Sequence, residues 1–111
     1  MAIDVIRLVK GDERPVIVLT LTDDVTGNPI DLSLGSTTVT VKFRKAATTT
    51  VLSTIACSKV GNGTDGRIQF SFVGGVLDVD PGMYEGEITI NFNGELQTVY
   101  DTLRFTVREN F

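Results

Sequence analysis

The chain has 111 residues, a formal net charge of −4, no histidine, no tryptophan and a single cysteine. Without histidine there is no Ser-His-Asp or Cys-His catalysis, and most zinc sites are ruled out. One domain spanning 1–111 is expected, with a core large enough to stand without disulfides or metals, and no apolar run approaches the ~20 residues of a membrane helix.

Acids and bases are scattered, and only Lys42, Arg44 and Lys45 come near to a basic cluster. Duplex binding needs a clustered basic face, so neither nucleic acid nor a membrane is expected as a partner. The N-terminal stretch MAIDVIRLVKGDERP carries Asp4 and Arg7 inside its apolar run, unlike a signal peptide. The expectation is retention in a cytosol, with no covalent anchor.

In chain order, period-two patterns dominate. IDVIRLV puts Ile3 and Val5 on one face and Ile6 and Leu8 on the other; PVIVLTLT (15–22) sets Ile17, Leu19 and Leu21 against Val16 and Val18. Both stretches are apolar on both faces, whereas a strand on a solvated face alternates. Either loops or another chain must cover these faces, and another chain is the expectation, because exposed apolar patches mark contact sites. Ile3, Val5, Ile6, Leu8, Val16 and Val18 are therefore the interface candidates, with Arg7, Arg14 and Glu13 on the rim.

TTVTVKFRK (37–45) alternates clearly, with Val39, Val41 and Phe43 inward. A weaker strand covers 51–60. It contains Cys57 on the face of Ile55, where a free cysteine acts as a small buried hydrophobe. RIQFSF (67–72) and EGEITINF (85–92) follow, and a final strand covers about 95–108. Asn93-Gly94 between two alternating runs predicts an antiparallel hairpin of 83–92 with 95–107. In the last strand the phase of Leu96, Thr98 and Tyr100 against Leu103, Phe105 and Val107 predicts a parity flip, with a bulge or kink near Asp101-Thr102. The segment 74–82 has room for one helical turn at most. About seven to eight short strands, with a turn every 8–12 residues, describe an all-β, immunoglobulin-like antiparallel β-sandwich.

Motifs that suggest chemistry lack the context it needs. GNGTDG (61–66) matches the dinucleotide-binding glycine pattern but leads into a strand, not a helix, so no cofactor is expected. Asn62-Gly63-Thr64 is formally a glycosylation acceptor, expected to stay bare without a secretion signal. Asp23/Asp24 and Asp78/Asp80 lack the dense spacing of a calcium loop, so no metal site is expected. A glycosidase carboxylate pair needs a cleft, which a sandwich this small has little material to build. No catalytic residue is named, and the chain is not expected to be an enzyme. Tyr84, two residues after the Pro-Gly turn of DPGMYEG, is expected to be a structural corner whose hydroxyl bonds back to upstream backbone.

The order of LVKGDERP, DDVTGNPIDL, GRIQFSF, PGMYEGEITI, NGELQT and LRFTVRE resembles, over nearly the whole chain, the immunoglobulin-like N-terminal domain of tailed-phage baseplate upper proteins and related small virion proteins. The resemblance implies a structural role in the virion, made in the host bacterial cytoplasm. Its implied partners are other phage structural proteins of tail or capsid, together with further copies of itself in a homo-oligomer. In that family the domain starts a longer polypeptide and docks a receptor-binding or fibre module. This sequence stops at Phe111, so a stand-alone tail or baseplate adaptor is expected, with a capsid decoration protein as the alternative. A glycan-binding module is a third possibility. The lack of tryptophan and the scarcity of tyrosine, the usual stacking platforms for sugars, weigh against it.

Overall fold

Alternation at period two is what the backbone follows. The computed structural model describes residues 5–23, 25–99 and 102–111, and among them there are nine strands and no helix. They are β1 (Ile6–Val9), β2 (Ile17–Thr20), β3 (Thr37–Lys45), β4 (Val51–Ala56), β5 (Ser58–Lys59), β6 (Arg67–Phe70), β7 (Gly82–Phe92), β8 (Glu95–Thr98) and β9 (Leu103–Arg108). A six-stranded sheet runs β1-β9-β7-β3-β4, with β8 also on β7, and a three-stranded sheet runs β2-β6-β5. The two sheets pack face to face as a β-sandwich of the immunoglobulin-like kind.

The core is the meeting of the two inward faces. Val39, Val41 and Phe43 of β3, Tyr84, Ile88 and Ile90 of β7, and Leu103, Phe105 and Val107 of β9 are buried from one side. Ile68 and Phe70 of β6, with Phe72 just beyond, close it from the other. Phe43 stands at the centre, in contact with the rings of Phe72, Tyr84 and Phe105. Aromatic pairs of this kind add about 0.5–1.5 kcal/mol each beyond the area they bury.

Gly86 makes room for that cluster. A Cβ there would lie 2.9 Å from Cε2 of Phe105 and 3.0 Å from Cγ1 of Val41. Gly66 is needed for its backbone: its φ is +73°, and a Cβ would come within 2.6 Å of the Leu21 carbonyl oxygen. So the GNGTDG loop is built to let the chain cross closely under Leu21 and Ile30, and it leads into β6.

Several expectations need correction. Leu8, named as an interface candidate, is a core residue at 4% exposure, and Ile6 packs half-buried against the same core. The cause is that β1 pairs parallel with β9, which sets Ile6 against Phe105 and Leu8 against Val107, both of them inward residues. That parallel pair is the exception to the antiparallel sheet expected from the pattern. The weak strand at 51–60 is two strands in different sheets. The chain leaves the large sheet at Cys57, whose amide still donates to the Val39 carbonyl, and enters the small one at Ser58.

The last strand is interrupted, but its parity does not flip. Thr89 pairs with Thr98 and Gly86 with Leu103, so the numbering advances by five from β8 to β9 where β7 moves by three, an excess of two. An even insertion keeps the phase: Val99 is buried on the same odd-numbered side as Leu103, and Leu96 is exposed. Tyr100 and Asp101 themselves lie outside the described residues. The Asn93-Gly94 hairpin is present, with φ of 55° and 105° at its two positions. The Asn91 side chain fastens it by accepting a bond from the Gly94 amide at 2.6 Å.

Candidate functional site

Tyr84 enters β7 two residues after its start, at a point where Gly82 takes a φ of 152° that side chains rarely adopt. The inward phase of β7 carries the ring under the sheet, parallel to Phe43 at 5.1 Å between centroids and 6° between planes. Its hydroxyl donates to the Asp80 carbonyl oxygen at 2.5 Å, and the residue is 2% exposed. Burial, and then the nearby charge of Asp80, raise its pKa above the ordinary tyrosine value. The polar end of this side chain is thus occupied by its own turn, four residues upstream.

Beside this corner lies a cavity of about 560 Å³, into which the sequence offered no direct view. Lys45 and Thr48 from the end of β3, Leu52 from β4, Lys10 from the turn after β1, and Asp78 and Asp80 ahead of β7 line it, with Val79 and Tyr84 beneath. Leu52 is there because of a bulge. Ser53 pairs with Phe43 and Val51 with Arg44, so Leu52 is the extra residue, half-exposed at the sheet edge. Bulges at sheet edges redirect a side chain in this way. Lys10, Lys45, Asp78 and Asp80 form no ion pair with one another within 4.0 Å among the described residues, where one ion pair, Arg44 with Glu85 at 3.3 Å, is present. Asp78 and Asp80 stood out in the sequence only as turn carboxylates. Their convergence with two lysines depends on the close approach of three loops.

The other interface candidates divide by sheet. Val16 and Val18 are exposed, at 57% and 47%, on the outward side of the small sheet, where Val16 borders a shallow depression with Gln69 and Ser71. Val5 is also exposed, but it precedes β1 on the large sheet, and Ile3 lies outside the described residues. Glu13, expected on a rim, is a tether: its carboxylate accepts from the Gly74 amide at 3.1 Å and its carbonyl from the Phe72 amide at 3.2 Å.

Among the described residues no cluster of three or more Cys, Asp or Glu is placed to hold a metal ion. Asp23 caps its own turn, accepting from the amides of Val25 and Thr26, while Asp24 is outside the described residues. Cys57 is half-buried, and burial pushes its thiol up to about 12, far from a reactive thiolate.

No family model matches the chain, and no curated protein matches it. Among solved structures, the N-terminal domain of phage TP901-1 ORF48 is similar, with a TM-score of 0.61 at 13% identity, over 97% of this chain and 86% of that one. Likeness at such low identity is likeness of fold: this chain shares its sandwich, nearly from end to end, with a domain of a phage protein.

Proposed function

We propose that the chain is a non-catalytic structural protein of a phage virion, a tail or baseplate adaptor subunit that works by protein–protein association. The observation that carries this reading is the sandwich shared over almost the whole chain with the N-terminal domain of a phage protein. It joins the order of turn and strand motifs that resembles phage virion domains. The surface fits the role: large apolar side chains stand exposed to solvent, Val16 and Val18 on the outward side of the small sheet among them.

The mechanism is burial of those side chains against a neighbour, whether another virion protein or another copy. Covering a half-exposed valine contributes on the order of 1 kcal/mol. Association costs about 4–15 kcal/mol in lost freedom, so two valines do not hold a complex by themselves. Repetition around a symmetric particle supplies the rest, since each contact recurs in every copy.

Light scattering of the purified protein across micromolar concentrations tests the association. A discrete oligomer is expected, and Val16→Asp is expected to abolish it while leaving the thermal melt unchanged. Loss of folding in that variant would place Val16 in the core and remove it from the interface.

A further inference from the structure

Resting on that reading, we infer that the association is edge to edge: β2 pairs antiparallel with β2 of a second copy, centred on Val18, and joins the two small sheets into one. The strand is open on one side. It lies at the end of the β2-β6-β5 sheet, and among the described residues no other strand flanks it.

The bonds around β6 fix which groups are open. In an antiparallel ladder, successive residues turn their N–H and C=O alternately towards the partner and away from it. Val60 donates its amide to the Arg67 carbonyl, so Arg67 and Gln69 face β5, and Ile68 and Phe70 face β2. Their partners are Leu19 and Ile17, and Leu21 continues the parity by donating to the Gly66 carbonyl. Val18 and Thr20 therefore turn their backbone groups to the free edge, as does Val16 by the same alternation. Pro15, which has no N–H, falls on the β6 side, so the edge loses no donor to it.

Among the described strands, every other open edge is blunted in one of the ways that stop strands from pairing. β4 is bulged at Leu52, and β5 is two residues long. β1 carries Arg7, and β8 carries Glu95. β2, reading IVLT, has no charge, no proline and no bulge. An edge left unguarded among guarded ones is a pairing site.

The sequence of that edge selects a second copy. Turned about a twofold axis through Val18, the strand sets Val18 opposite Val18 and Val16 opposite Thr20, all β-branched residues that pack well as cross-strand pairs. No charge meets a like charge over 16–20, and each outward N–H finds an outward C=O. The contact is isologous, so it closes at two chains and leaves no β2 edge over. Residues 16–20 of each chain make a small interface, hence one that dissociates at working concentrations.

The test reads mass, amide exchange and cross-linking. Sedimentation of the wild type is expected to show the mass rising with concentration towards that of two chains. Over the same range the amides of Val18 and Thr20 are expected to exchange more slowly, while those of Ile17 and Leu19, already bonded to β6, stay unchanged. Val18→Lys, at an exposed position, sets two lysines opposite each other. It is expected to keep its thermal melt and raise the midpoint of dimerisation about tenfold or more. In a Cys57→Ser background, oxidising a mixture of Val16→Cys and Thr20→Cys proteins is expected to give the mixed disulfide, since opposed residues lie about 5.5 Å apart between Cα atoms. Either protein alone is expected to give none, its two cysteines being roughly 13 Å apart along the strands. Self-association that leaves the Val18 and Thr20 amides exchanging freely and gives no mixed disulfide, but fails in Val16→Asp, overturns the edge pairing and leaves the proposed function standing. A strict monomer at every concentration overturns the edge pairing and self-association together.

Discussion

Removing one oxygen tests the corner. Tyr84→Phe keeps the ring stacked on Phe43 and deletes only the hydroxyl that donates to the Asp80 carbonyl at 2.5 Å. A net intramolecular hydrogen bond is worth about 1 kcal/mol, and a buried acceptor left without a partner costs more. Asp80 is exposed, so water replaces the hydroxyl on its carbonyl and the loss stays near the lower figure. Against a total stability of roughly 5–15 kcal/mol, that is a visible fraction. Urea unfolding at pH 7 is expected to show a lower midpoint with an unchanged slope, and the melting temperature to fall by about 4 °C or more. Truncation to alanine also removes the ring and is expected to cost about 3–5 kcal/mol.

The same residue carries a pH signature. Its pKa is raised in the folded state, so the unfolded chain loses the proton first as pH climbs past the ordinary value of 10.0. Stability is therefore full below pH 10 and declines above it, and the Tyr84→Phe protein lacks that share of the decline. A variant as stable as the wild type at pH 7 would refute the corner as a stabilising device.

Gly86→Ala is expected to destabilise by about 1–3 kcal/mol, because the new methyl overlaps Phe105 and Val41 in a filled core; chemical denaturation measures it, and a neutral result would mean that the cluster has slack. Cys57 is expected to resist alkylation: with its pKa pushed from 9.0 to about 12, the thiolate at pH 8 is about a thousandfold scarcer than in the unfolded chain. Mass spectrometry after brief exposure to iodoacetamide, with and without denaturant, checks this.

How far the sequence could be read follows from which forces are local. Strand β3 was legible at both ends, and the Asn93-Gly94 hairpin by its turn, because alternation and positive φ are written residue by residue. The corner was legible too, since a tyrosine shortly after Pro-Gly has its acceptor within reach of the same turn. What failed was what depends on a distant partner. Ile6 and Leu8 look like one face of an isolated strand, and only pairing with β9 decides that this face is inward. The break after Thr98 showed as a phase problem, yet an insertion of two residues preserves phase, so its sign was misread. The cavity was hidden for the same reason. It needs Lys10, Lys45, Leu52 and Asp78 from four separate segments, and one of them is placed by a bulge that has no sequence mark of its own.

A virion building block, as proposed, is present in the particles themselves. Gold-labelled antibody against the purified protein, applied to purified phage particles whose genome carries this sequence, is expected to decorate each particle at a fixed position on the tail. Particles that carry none of the protein would overturn the proposed virion role.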